Sequence, residues 1–256
     1  MKGAASFKDH FSPLARADAL YRPIYPGPLY EYLASLVKLR ERAWDCGTGN
    51  GQAAGSLAEF FRHVAATDAS PEQIAEARPQ KKIAFIVAAA ERCPLRDQSV
   101  DIVTVAQAIH WFSFDGFYSE VRRVARAGGV IAVWGYSWAK VTPEVDQIVE
   151  RFRTEIVGPY WPAERRYVNE KYETIPFPFE EVKPPPFTLE ERWDTETLAG
   201  YLESWSSSHR FSEERGFLPT GLIQKQLHEA WGDPAAKKKV RWDLHLHVGN
   251  VHPQAG

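Results

Sequence analysis

Asp45-Cys46-Gly47-Thr48-Gly49-Asn50-Gly51 concentrates more chemistry than any other run of the chain. Its glycines let the backbone turn sharply and leave no side chain where a ligand must come close. Arg42–Cys46 reads as a short buried strand entering the turn, and the residues after Gly51 read as a helix leaving it. A second acid, Asp68, ends the run His63-Val64-Ala65-Ala66-Thr67, seventeen residues after Gly51. An acid at the tip of a second strand can accept both hydroxyls of a ribose. Asp45, Gly47, Gly49, Gly51 and Asp68 together predict a site for an adenosine-containing cofactor.

Spacing narrows the cofactor. A dinucleotide fingerprint, G-x-G-x-x-G, would put its third glycine at Gln52, whereas here it is Gly51. No Lys-Ser or Lys-Thr follows, as a phosphate-cradling loop would need. Asp45 stands where it would repel a pyrophosphate, and it suits a cationic ligand group better. The pattern D-x-G-x-G-x-G, with an acid ending the next strand, resembles the S-adenosylmethionine site of class I methyltransferases. An ordinary turn between strand and helix would explain the glycines alone, but not the placed acid.

A second cluster follows the fourth apolar strand: Gln107-Ala108-Ile109-His110-Trp111-Phe112. In an open α/β sheet, ligands bind at the carboxyl ends of strands near the switch in strand order. Gln107 is therefore expected beside the cofactor and Trp111 beside the acceptor. His110 either takes a proton from a substrate oxygen or orients that oxygen. A structural histidine beneath aromatic rings is the alternative, and the sequence leaves it open. Before the first strand, Tyr21-Arg22-Pro23-Ile24-Tyr25-Pro26 is stiffened by proline. It is expected to lie over the cofactor as a lid, with Arg22 pairing with a carboxylate, unless it is only a packed arm. Late in the chain, Trp205, Ser206 and His209 are candidates to bind the acceptor. Arg165, Arg166 and Arg210 are also available, but the pair beside Pro162-Ala163-Glu164 reads more readily as an exposed helix start.

The elements that must position these residues alternate. Strands are predicted at Arg42–Cys46, up to Asp68, Ile83–Val87, Val100–Ala106 and Val130–Trp134, with helices between them. Ser12–Leu20, Leu29–Leu39, Val145–Val157, Thr195–Ser204 and Phe217–Trp231 read as helices, with Thr195 as an N-cap. Phe187–Trp193 and Val240–Val248 alternate as strands do. The β-α-β order implies an α/β fold, a doubly wound, mostly parallel sheet with helices on both faces. One domain over 1–256 is expected: a lid at 1–30, a cofactor core at 31–140, a helical and aromatic insertion at 141–235 and a last strand at 236–250.

Composition narrows the classes. With 256 residues, 44% of them apolar, the chain can bury a large core. A net charge of −2 argues against a nucleic-acid partner, and no amino-adenine or cytosine-C5 methylation motif stands after strand four. No apolar run is long enough for a membrane span, and no metal-ligand spacing occurs. Cys46 and Cys93 read as buried thiols of a reducing compartment, so a cytoplasmic protein is expected.

The resemblance sharpens when the runs are taken together. Ala106–Phe112, Glu120-Val121-Arg122-Arg123-Val124, Gly128–Tyr136, Tyr21–Pro26 and Tyr201-Leu202-Glu203-Ser204-Trp205-Ser206 resemble the trans-aconitate methyltransferase-like branch of class I enzymes. The resemblance implies a Rossmann-like seven-stranded sheet with its last strand antiparallel. It also implies methyl transfer from S-adenosylmethionine to a small molecule, most naturally to a carboxylate oxygen. One departure stands out: many related enzymes carry an acid where this chain has Ala89. Adenine would then rest on groups around Ala90 and Glu91. The rivals are a nicotinamide oxidoreductase, disfavoured by the glycine spacing, a cofactor-binding protein without turnover, and a methyltransferase for another acceptor.

Overall fold

The computed structural model describes residues 21–252. The helix expected at Ser12–Leu20, and most of the expected lid, lie outside them. Strand β1 (Arg42–Cys46) is buried from Ala43 to Cys46, as a central parallel strand must be. It pairs in parallel with β2 (His63–Asp68) on one side and β4 (Val100–Ala106) on the other. Strand β3 (Ile83–Val87) adds beyond β2, and β5 (Ala125–Tyr136) beyond β4. The order reverses between β1 and β4, so a crevice opens at the carboxyl ends of those two strands.

The last strand, β8 (Lys238–Asn250), runs antiparallel to β5 from Tyr136↔Leu244 to Val130↔Asn250. Its far edge pairs with the two-residue β6 (Glu180–Glu181), which completes a seven-strand path, β3-β2-β1-β4-β5-β8-β6. The first half of β8 leaves that path and pairs with β7 (Thr188–Trp193). The expected sheet is therefore present, with β7 as a ribbon added to its antiparallel strand.

Helices α1 (Gly27–Ser35) and α2 (Gln52–Phe60) cover one face through Leu29, Leu33, Ala54 and Leu57. Helix α4 (Phe114–Val124) covers the other through Phe117 and Val121, which pack with Trp44, Val103 and Ile131. Short α3 (Pro71–Ala75) follows β2, with the Ser70 hydroxyl accepting from Gln73 N at 3.1 Å as its cap. Asp101, at the other end of the sheet, accepts from Glu41 N, Arg42 N and Arg126 Nη1. It clamps three strand starts far from the crevice.

Between β5 and β8 the chain forms α5 (Pro143–Arg151), which runs into a wider π turn at Phe152–Ile156, then α6 (Arg165–Asn169), α7 (Thr195–Glu203), α8 (Ser206–Arg215) and α9 (Gln224–Trp231). The cap of α7 is Asp194, not Thr195: its carboxylate accepts from Thr197 N at 2.9 Å. The expected 217–231 helix is broken at Ile223, because a 3-10 turn over Pro219–Leu222 precedes α9. Apart from β6, the proline-rich stretch between α6 and β7 stays irregular, as its prolines require.

Candidate active site

The glycine turn is built as its sequence suggests. Gly47, Gly49 and Gly51 all have positive φ, +67°, +56° and +89°, the region that favours glycine. Two of them also accept close neighbours. A Cβ at Gly47 would lie 2.5 Å from the Ala108 Cβ, and one at Gly51 would lie 2.5 Å from the Phe85 ring. At Gly49 the nearest atom would be Gln73 Oε1 at 3.5 Å, an ordinary contact, so its positive φ and not crowding asks for glycine there. Asp68 ties the turn to the second strand, accepting from Gly49 N at 2.8 Å and Ser70 N at 2.9 Å.

Asp45 is fully buried beneath the turn. Its oxygens accept from the Thr48 hydroxyl at 2.6 Å and the Thr104 hydroxyl at 2.8 Å. Burial pushes its carboxyl up to about 6, against the pull of those two hydroxyls, and the Asp68 charge adds to the rise. A ligand above the turn would meet its field rather than its oxygens. In the loop after β3, Ala90 is buried, and the Glu91 carboxylate is turned away to accept from Ser113 N at 2.7 Å. Glu120 fastens the same loop by accepting from Cys93 N at 2.7 Å. What Ala90 and Glu91 can offer a purine is therefore backbone, presented by a loop pinned to α4.

Across the crevice, Gln107 takes φ +56°, and its N–H reaches Trp134 O at 2.8 Å. That turn throws the next residues into a 3-10 turn over Ile109–Trp111. His110 is buried there, with Nδ1 3.0 Å from the Tyr172 hydroxyl. Burial pulls the imidazole down to about 3, and the charges of Arg165 and Arg22 lower it further. It is neutral at any physiological pH. The Tyr172 hydroxyl also lies 3.4 Å from Gln107 Oε1, and Tyr172 itself has φ +63°. A bulky residue in that conformation is strained and held by its surroundings. Trp111 packs its ring 4.8 Å from that of His110.

The segment ahead of α1 crosses this region. Pro23 O accepts from Gln52 Nε2 at 2.9 Å, and the Tyr25 ring meets Trp134 edge-on at 5.6 Å. Arg22 Nη1 reaches the Tyr136 hydroxyl at 3.4 Å, which puts Arg22 on the His110 side of the crevice.

The insertion puts the expected acceptor residues Trp205, Ser206 and His209 in three different settings. Trp205 is buried in a cluster with Trp138, at 5.2 Å, and Trp161, at 5.5 Å, so it builds the wall rather than lining an open face. Ser206 begins α8. His209 Nε2 points along its own helix to Glu213, 3.3 Å away. Arg165 is not the exposed helix start expected of it. Its guanidinium sits 4.3 Å over Trp138 and 4.5 Å over Trp161, while its neighbour Arg166 is exposed. Sequence reasoning missed Tyr172, Tyr136, Trp138 and Trp161. The αL conformation of Tyr172 and its bond to a residue 62 positions away leave no local signal.

A methyltransferase-domain family model matches residues 44–133, from β1 into β5. A Dictyostelium discoideum protein named as a methyltransferase is 34% identical over 209 residues, covering 80% of each chain. A Saccharomyces cerevisiae protein named as an S-adenosylmethionine-dependent methyltransferase is 33% identical over 124 residues, covering 45% of this chain and 43% of its own. The solved structure of a Type II methyltransferase from Anaeromyxobacter dehalogenans superposes with a TM-score of 0.85 at 40% identity, covering 91% of this chain and all of that one. The glycine turn, the acid at the tip of β2 and the pinned loop after β3 fit S-adenosylmethionine. With these relatives, they show that the chain belongs to the class I methyltransferases, enzymes that take S-adenosylmethionine as their cofactor.

Proposed function

We propose that the enzyme methylates a carboxylate oxygen of a small organic acid, as the resemblance to the trans-aconitate methyltransferase-like branch implies. The observation that carries this reading is the state of His110. A buried imidazole held at about 3, in the field of two guanidinium groups, is a poor base for a hydroxyl. It is well suited to steady an oxygen that is already an anion. A carboxylate is ionised at neutral pH and needs no base.

Bound S-adenosylmethionine supplies a methyl group on a sulfonium, an electrophile for that oxygen. Transfer to a carboxylate oxygen would leave the carbon–sulfur electron pair on sulfur and would neither take up nor release a proton, so no residue of the chain has to act as a base. The chain aligns and dries the site: Gln107 and His110 set the position, Tyr172 holds His110, and the Trp138–Trp161–Trp205 wall excludes water. The arm from Tyr21 to Pro26 serves as the lid. Two buried free thiols, Cys46 and Cys93, suit a reducing compartment, and we place the enzyme in the cytoplasm.

His110→Ala tests the chemistry through its pH–rate profile on whichever acid turns over. The expected loss is modest, under about tenfold, with no titration near neutrality removed. A loss of roughly 10²–10⁴-fold together with the disappearance of an acid limb would make His110 a general base and the acceptor a hydroxyl.

A further inference from the structure

Arg165 is the anomaly of the acceptor side. Among the described residues, no hydrogen bond or ion pair reaches its guanidinium. Its Nε is sealed from solvent without a partner. Arg153, which packs against the same Trp138 at 4.5 Å, is by contrast satisfied by Glu150. Besides burial, the groups that bear most on Arg165 are the phenols of Tyr201, Tyr172 and Tyr136 and the guanidinium of Arg22. Burial lowers its guanidinium to about 10, so it remains a cation at neutral pH.

A half-buried cation without a counterion, its Nε cut off from solvent, leaves room for a partner that arrives later. The two indoles cover faces of the guanidinium, because their ring centroids are 5.7 Å apart and their planes meet at 62°. Stacking supports the charge and fixes the plane of the fork, and the unmet donors lie along its edge. A planar carboxylate matches that edge with two parallel bonds.

We infer that Arg165, held in the corner of Trp138 and Trp161, is the residue that selects the acceptor by binding the carboxylate that becomes methylated. This rests on the carboxylate reading above and adds a consequence to it. The acid enters as an anion and leaves as a neutral ester, so Arg165 loses its counterion on turnover and the product is released.

The test is direct binding to the full chain with S-adenosylhomocysteine present. The probes are benzoate, cinnamate and fumarate, each measured against its methyl ester (dimethyl ester for fumarate) and amide by calorimetry. At least one acid is expected to bind tenfold or more tightly than both neutral forms. Arg165→Gln should abolish that preference while S-adenosylhomocysteine still binds normally, which reports an intact fold. Arg165→Lys, which keeps the charge without the fork, should retain only part of it. No preference for any acid over its amide in the wild type, or an equal preference in Arg165→Gln, overturns the inference. If the preference depends on Arg165 but methyl is found on some atom other than the carboxylate oxygen, the anion site stands and the proposed chemistry fails.

Discussion

Asp45 and Asp68 are both acids at strand tips, yet their surroundings give them different work. Asp68 holds the glycine turn by two backbone bonds and stands where a ribose is expected. Asp45 lies beneath the turn, and its charge is raised in cost by burial. Its folded value of about 6 exceeds the ordinary 3.8 of an aspartate, so the folded chain holds that proton more tightly than the unfolded one. The penalty is absent below about pH 4, grows as pH rises to about 6 and is full above that. Two pKa units correspond to about 3 kcal/mol as an upper figure. Asp45→Asn is therefore expected to stabilise the cofactor-free protein at pH 8 by up to that amount and to leave stability at pH 4 nearly unchanged. Urea melts of both proteins at the two pH values check this, and an equal difference at both would contradict it. Such a carboxylate, costly when empty, is what a site for a cationic ligand group would retain.

At the scale of elements, the turn after β1 and the turn after β4 are locked together through Gly47. An alanine there would meet Ala108 at 2.5 Å and would also have to hold φ +67°. Gly216, at the end of α8, has φ +78° with open space around it, so it isolates the backbone cost from the contact. Gly216→Ala should cost about 1 kcal/mol and leave turnover intact. Gly47→Ala should cost about 2–4 kcal/mol and weaken both cofactor binding and turnover, because relief of the clash moves the His110 turn. Thermal melts and calorimetry read both, and equal costs would show that the two turns are not coupled. The β1 turn was legible because its chemistry is local: three glycines and an acid within seven residues, then an acid ending the next strand. The side around His110 was not. Tyr172 meets His110 from across 62 residues, and Arg165 opens a helix of one short turn just after Pro159 and Pro162, where an arginine pair looks like surface. Cap chemistry was misread for a smaller reason. Asp194 and Thr195 are both good caps, and only the backbone shows that the aspartate takes the position.

For the molecule as a whole, the switch in strand order divides the labour. Strands β1 to β3 carry the glycine turn, Asp68 and the loop of Ala90 and Glu91. Strands β4, β5 and β8, with the insertion between the last two, build the aromatic, cationic side over His110. No described helix is long and apolar enough to cross a membrane. The sheet was legible from the β-α-β alternation, while the β7–β8 ribbon shows only once the long last strand is seen to serve two partners. The central claim is methyl transfer from S-adenosylmethionine to a carboxylate oxygen. It is tested most directly by incubating the enzyme with methyl-labelled S-adenosylmethionine and a panel of small organic acids, and then identifying the labelled product. The predicted result is a methyl ester, whose label mild alkali releases as methanol, formed with an equal amount of S-adenosylhomocysteine. Label found instead on nitrogen, on an alkali-stable ether or on a macromolecule would contradict it.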